Sequence, residues 1–151
     1  MRIAKQLSIF LINQPGRLAA VSGALAKEKI NILALTLMDT TEHGVLRIVV
    51  EDGAKARKVL EKIDCPVTET DVLLLELPNR PGAFASVAEE LAGAHINIDY
   101  AYCTAGAPGG KTIGIFKVPL LQKAMEILNA EGFKHSERNL PRVQRQQGAF
   151  H

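Results

Sequence analysis

The chain repeats itself. Residues 13–32, "NQPGRLAAVSGALAKEKINI", match residues 79–98, "NRPGAFASVAEELAGAHINI", at a displacement of 79 − 13 = 66. Asn13, Pro15, Gly16, Val21, Leu25, Ile30, Asn31 and Ile32 return as Asn79, Pro81, Gly82, Val87, Leu91, Ile96, Asn97 and Ile98. Further on the displacement is 68: Val50, Lys55, Ala56 and Leu60 answer to Val118, Lys123, Ala124 and Leu128, and the second copy's "TAGAPGGK" loop is the natural place for the two added residues. A duplication of this extent constrains the fold more than composition does. Whatever one half forms, the other must form from elements spaced the same way.

Each copy spells six elements. An apolar run bounded by turn residues, Leu7–Ile12 or Val72–Leu77, reads as a strand. Pro15 or Pro81 is then expected to open a helix, where its missing N–H costs nothing. Leu18, Val21 and Leu25 fall at i, i+3 and i+7, and Phe84, Val87 and Leu91 repeat that spacing, so each helix has one apolar stripe to lay on a sheet. Two β-rich runs follow, "INILALTLMDT" with "GVLRIVV" and "INIDYAYCT" with "TIGIFKV", then a second helix carrying Ala56, Val59, Leu60 and Ile63 or Ala124, Ile127 and Leu128. "PVTETD" and, more weakly, "KHSERN" each offer an edge strand. The order is β-α-β-β-α-β twice. That predicts an α+β fold of two tandem ferredoxin-like units, each an antiparallel four-stranded sheet with two helices on one face. The expected division is 1–70, 71–140 and a basic tail 141–151, with only "TETD" between the units. Units of roughly 65 to 70 residues have thin cores, so pairing with like units, and a homodimer, are expected.

Composition removes several classes of function. Lys and Arg number 18 against 16 Asp and Glu, spread along the body, so no extended nucleic-acid surface is expected. Cys65 and Cys103 are too far apart for a C-x-x-C pattern, and the four histidines do not cluster; no metal or other cofactor is expected. "LSIFLI" is too short for a signal-peptide core or a membrane span, and with so few cysteines a cytoplasmic protein is expected. "PGGK" at 108–111 lacks Walker spacing and joins two strands. No nucleophile-and-base set is visible, so a small hydrolase on the same frame is disfavoured and no catalytic residue is assigned. An RNA-binding sheet is disfavoured too, because the third strand lacks stacked aromatics.

The doubled N-x-P-G, each followed by a helix and an Ile-Asn-Ile step, resembles the ACT domain family. The resemblance covers nearly the whole chain and is greatest to small proteins made of paired ACT domains. It implies a non-catalytic regulatory protein that binds a small amino acid where ACT units meet and modulates a partner metabolic enzyme or regulator. By similarity to the serine-binding member of the family, Asn13 with Asn31 and Asn79 with Asn97 are implied as effector contacts, split across the domain interface. That member also has a histidine two residues before the first asparagine; here those places hold Leu11 and Leu77, so serine specificity is not implied.

The residues themselves suit the task. A glycine after proline lets a ligand approach the backbone, the start of a helix favours a carboxylate, and an asparagine amide both donates and accepts. The candidate ligand-binding set in the first copy is Asn13, Pro15, Gly16, Arg17, Leu18, Asn31 and Ile32. In the second it is Asn79, Gly82, Ala83, Phe84, Asn97, Ile98 and Asp99, the last on Asn97's strand face and able to meet an ammonium. Against this stands a plain reading, in which Asn-x-Pro-Gly is only a turn with an asparagine bonded to nearby backbone. Tyr100 and Tyr102, which replace Ala34 and Thr36, either line a pocket or simply pack. The alternative function is a ligand-free scaffold that pairs with an enzyme.

Overall fold

The computed structural model describes residues 1–39, 43–104, 106 and 109–130. The first half builds β1 (Arg2–Ile12), α1 (Arg17–Lys27), β2 (Ile32–Asp39), β3 (His43–Val50) and α2 (Gly53–Lys62). The second builds β4 (Val67–Pro78), α3 (Ala83–Gly93), β5 (Tyr100–Cys103), β6 (Lys111–Lys117) and α4 (Leu121–Ala130). All six strands lie in one antiparallel sheet, ordered β2-β3-β1-β4-β6-β5.

Here the structure departs from the expected spacing. "TETD" is not a connection between units but part of β4, and position 70/71 falls inside that strand. The first part of β4 completes the first unit, with Val67 opposite Ile9 and Glu69 opposite Leu7. Its last part starts the second unit, with Leu73–Pro78 opposite Phe116–Lys111. β1 likewise extends back from Leu7 to Arg2. The cause is tertiary. "RIAKQ" and "TETD" are polar for strands, yet along the β1–β4 ladder Arg2–Gln6 lie opposite Leu74–Thr70 and Thr68–Asp71 opposite Ser8–Lys5.

A local two-fold axis follows from the register. Residue i of β1 faces residue 76 − i of β4, as in Arg2 with Leu74 and Ile9 with Val67, and 5 + 66 = 71, so the equivalent positions Lys5 and Asp71 face each other. Lys5 Nζ lies 2.6 Å from Asp71 Oδ1, and that carboxylate holds the ammonium above its ordinary value. Both side chains are well exposed, so the ion pair marks the axis while the ladder does the joining. By the same symmetry Arg2 and Ile3 take the place beside β4 that Thr68 and Glu69 take beside β1. "KHSERN" and the tail 141–151 lie outside the described residues.

Leu73 faces the same side as Ile3, so α1 to α4 share one face of the sheet. Leu7, Ile9 and Leu11 pack there against Val21 and Leu25 of α1 and Ala56 and Leu60 of α2. Leu73, Leu75 and Leu77 meet Val87 and Leu91 of α3 and Ala124 and Leu128 of α4. On the other face the sheet curls until β2 approaches β5 and β6, which buries Ala4, Ala34, Val49, Val72, Leu74 and Ile115 over the β1–β4 seam.

One polar group is buried in that seam. Gln6 is fully enclosed; its Nε2 donates to the Tyr100 hydroxyl at 2.7 Å and its Oε1 accepts from the Tyr102 hydroxyl at 2.9 Å. The Arg47 guanidinium caps the Tyr100 ring at 4.2 Å. The tyrosines therefore pack, fastening β5 of one unit to β1 of the other, whereas the symmetric positions hold Val72, Ala34 and Thr36.

Burial, and secondarily the neighbouring Tyr100, pushes the Tyr102 phenol well above its ordinary 10.0. A raised native value means that the neutral phenol stabilises the fold fully below pH 10.0 and loses that effect as pH rises through the native value. Tyr102→Phe leaves Gln6 Oε1 without its donor and is expected to cost about 1–3 kcal/mol in urea unfolding at neutral pH. The gap from wild type should narrow at alkaline pH. A gap independent of pH would mean that the hydroxyl does not carry it.

Candidate functional site

The two Pro-Gly pairs are type II turns. Arg17 N–H donates to the Gln14 carbonyl at 3.4 Å, Pro15 takes the second turn position, and Gly16 the third with φ 87° and ψ −9°. Ala83 N–H to the Arg80 carbonyl at 3.3 Å, with Gly82 at φ 87° and ψ −13°, repeats the geometry. Proline therefore does not open the helix as expected. The positive φ belongs to glycine, which becomes the N-cap, and the helices begin at Arg17 and Ala83. A Cβ on Gly16 would meet nothing within 4 Å, so the backbone angle alone demands glycine there. Having no side chain at the cap, α1 and α3 begin without a side-chain hydrogen bond to their first-turn N–H groups.

Beneath each turn lies a cleft. The first, 260 Å³, is lined from the β1–α1 corner by Leu11, Ile12, Asn13, Gln14, Arg17 and Leu18, and from the far side by Leu37 and Met38 of β2 and Gly44 of β3. The second, 190 Å³, is lined by Leu77, Pro78, Asn79, Arg80, Ala83 and Phe84, with Cys103, Thr104 and Thr112 opposite. These are the same positions displaced by 66, and by 68 for the last. The clefts are one site written twice, and they open at opposite ends of the molecule because β1 and β4 run antiparallel.

Their walls differ, with Leu37 and Met38 in the first against Cys103 and Thr104 in the second. Asn79 Nδ2 donates to the Gly106 carbonyl at 2.7 Å, its own N–H to the Gly110 carbonyl at 2.8 Å, and its carbonyl accepts from Gly109 N–H at 3.3 Å. The β5–β6 hairpin thus occupies the second asparagine. Phe84 stacks on Phe116 with ring centroids 5.3 Å apart, where the first unit has Leu18 and Ile48. Burial pushes the Cys103 thiol up.

Of the candidate residues, Asn13, Arg17 and Leu18 come together in the first cleft and Asn79, Ala83 and Phe84 in the second, while Pro15, Gly16 and Gly82 shape the turns beside them. The Ile-Asn-Ile residues do not join them within a unit. β2 starts opposite Val50 and ends opposite Gly44, beside Leu11, so Asn31 and Ile32 sit at the other end of the strand, about 25 Å from Asn13 by strand rise. Asn97, Ile98 and Asp99 likewise precede β5 at its far end. Asn31 Nδ2 reaches Glu51 Oε1 at 3.4 Å, and Asn97 Nδ2 reaches Asp99 Oδ1 at 3.0 Å. The step has a structural use as a helix stop. Ile30 N–H donates to the Leu25 carbonyl and Ile96 N–H to that of Leu91, after Lys29 and His95 at φ 56° and 57°, and both isoleucines are buried.

Sequence reasoning missed Leu37, Met38, Cys103 and Thr104 as cleft walls. Pairing β3 with both β1 and β2 carries the end of β2 to the end of β1, and that pairing was readable from the hairpin.

Fold and clefts define a doubled ferredoxin-like protein with a paired crevice at its strand-to-helix corners. The family model for an ACT domain pair matches residues 1–143, so the chain belongs to that family. It is similar to protein BT0572 from Bacteroides thetaiotaomicron, with 38% identity, a TM-score of 0.79, and coverage of 85% of this chain and 88% of that one. The fold is also shared with the regulatory subunit of aspartate kinase from Thermus thermophilus, at 16% identity, TM-score 0.63, and coverage of 86% and 97%. Aspartate kinase from Synechocystis shares it too, at 17% identity and TM-score 0.56, with 94% of this chain matching 28% of that one. Among curated proteins no match is found. No helix among the described residues is long and apolar enough to cross a membrane.

Gly16→Ala and Gly82→Ala are each expected to lower unfolding free energy by about 1–2 kcal/mol, the cost of a left-handed alanine, as measured by denaturant midpoints. At Gly16, where a methyl group meets open space, a neutral substitution would contradict the turn assignment.

Proposed function

We propose that this chain is a non-catalytic regulatory protein that binds a small amino acid and passes the binding on to a partner enzyme or regulator in the cytoplasm. The observation that carries the reading is the cleft at each N-x-P-G turn, where an asparagine, a helix start without a side-chain cap and an apolar floor converge. A free amino acid carries a carboxylate for the helix end and a side chain for the floor. Asn31, Ile32, Asn97, Ile98 and Asp99 join such a site only from a second chain. A homodimer is supported by the edge strand β2, which leaves Leu35 49% exposed beside unpaired backbone.

Binding acts on a partner only if it favours one packing of the units, and the partner then alters ligand affinity by the same factor. Ala83 in place of Arg17, and Cys103 and Thr104 in place of Leu37 and Met38, favour a second reading for the second unit, that of a ligand-free scaffold.

Isothermal titration against the twenty amino acids, with thermal unfolding alongside, tests the proposal. A sensor gives saturable heat for at least one of them and, at a hundredfold excess over Kd, about 2.7 kcal/mol of added stability. Folded protein that responds to none is a scaffold.

A further inference from the structure

We infer that one cleft per chain is the ligand site, that of the first unit, and that its ligand is an amino acid with a large apolar side chain. This rests on the amino-acid-sensing reading above and narrows it by comparing the two clefts position by position.

In the first, the wall facing the turn is Leu37 and Met38, and Leu11 and Leu18 extend it, so a ligand side chain meets hydrocarbon and a thioether. Leu18, Leu37 and Met38 are 39%, 47% and 52% exposed, which is apolar area that a ligand would remove from water. The one formal charge among the lining residues is Arg17, in the first turn of α1, which makes no ion pair among the described residues. A guanidinium forks onto a carboxylate, and here it adds to the positive end of the helix. A single cation beside an apolar wall selects a carboxylate with a hydrocarbon tail. Among the described lining residues it offers no acidic group to a lysine or arginine side chain. At 260 Å³ the cleft falls below the roughly 300 Å³ floor of sites for drug-sized ligands, which suits a single amino acid.

In the second cleft the corresponding wall is Cys103 and Thr104, and Ala83 replaces the arginine. Two of its polar side chains already have partners within the fold. Asn79 is bonded to Gly106, and Thr104 Oγ1 accepts from Ile113 N–H at 2.9 Å and shares a bond with Thr112 Oγ1 at 3.1 Å. Arg80 remains, but at the place of Gln14, and the stacked Phe84 fixes the opposite side of the 190 Å³ space. The hairpin that holds Asn79 lies where the repeat displacement grows from 66 to 68. With Ala83 where the first unit has Arg17, and Cys103 and Thr104 where it has Leu37 and Met38, this cleft lacks both the cation at the helix start and the apolar wall.

Titrating the full chain with leucine, isoleucine, methionine and phenylalanine, against serine, aspartate and lysine, tests the inference. It predicts one site per chain, at least tenfold preference for the apolar group, at least tenfold weakening by Arg17→Ala or Met38→Asp, and less than twofold change in Asn79→Ala. Two sites per chain, a polar or charged favourite, or loss of binding in Asn79→Ala would overturn it while leaving amino-acid sensing intact. Absence of binding by any amino acid overturns both. In that case a dimer that Met38→Asp splits in sedimentation would assign the apolar wall to a contact between chains.

Discussion

The ladder between β1 and β4 is the interaction on which the rest of the molecule depends. Two strands that are polar at their outer ends pair across a local two-fold axis, and each thereby completes the other unit's sheet. A thin four-stranded sheet with two helices exposes much of its apolar surface; merging two into one six-stranded sheet also allows the curl that buries a third core over the seam. The Lys5–Asp71 pair at the axis is too exposed to account for this. Backbone pairing, and the apolar side chains that it brings together, account for it.

The seam also departs from symmetry, and that departure bears on how the units communicate. Gln6, with two hydroxyl partners from β5, is a satisfied buried polar group that only one relative position of the units permits. A change at the first cleft, which opens at the end of β1, has a direct covalent and hydrogen-bonded route to the second unit along that strand. Whether a ligand exploits the route depends on its binding one arrangement of the sheet better than another.

Much of the fold was legible because duplication made each element a twofold observation. Both hairpins and the element order as far as α4 appear in the structure, and of the helix stripes Val21 with Leu25 and Val87 with Leu91 are buried while Leu18 and Phe84 stay exposed. What the local pattern concealed were features decided by distant partners. "RIAKQ" carries little strand signal, and "PVTETD" reads as an edge strand of the first unit alone; it is the β1–β4 ladder that makes both part of strands shared by the two units. The Pro-Gly pairs were read as helix openers when they are type II turns, a difference set by the positive φ of Gly16 and Gly82. In the clefts the asparagines and helix starts were legible. The walls from β2 and β5, and the hairpin that occupies Asn79, depend on strand register and loop path.

Native-state hydrogen exchange tests the shared sheet most directly. If β1 and β4 fuse the halves, backbone amides bonded within the sheet at Leu46 and Ile48 of β3 and at Ile115 and Phe116 of β6 should exchange with one common free energy, equal to that of global unfolding, and respond equally to denaturant. Two separate free energies, one for each half, would mean that the units fold independently and that the ladder between them is incidental.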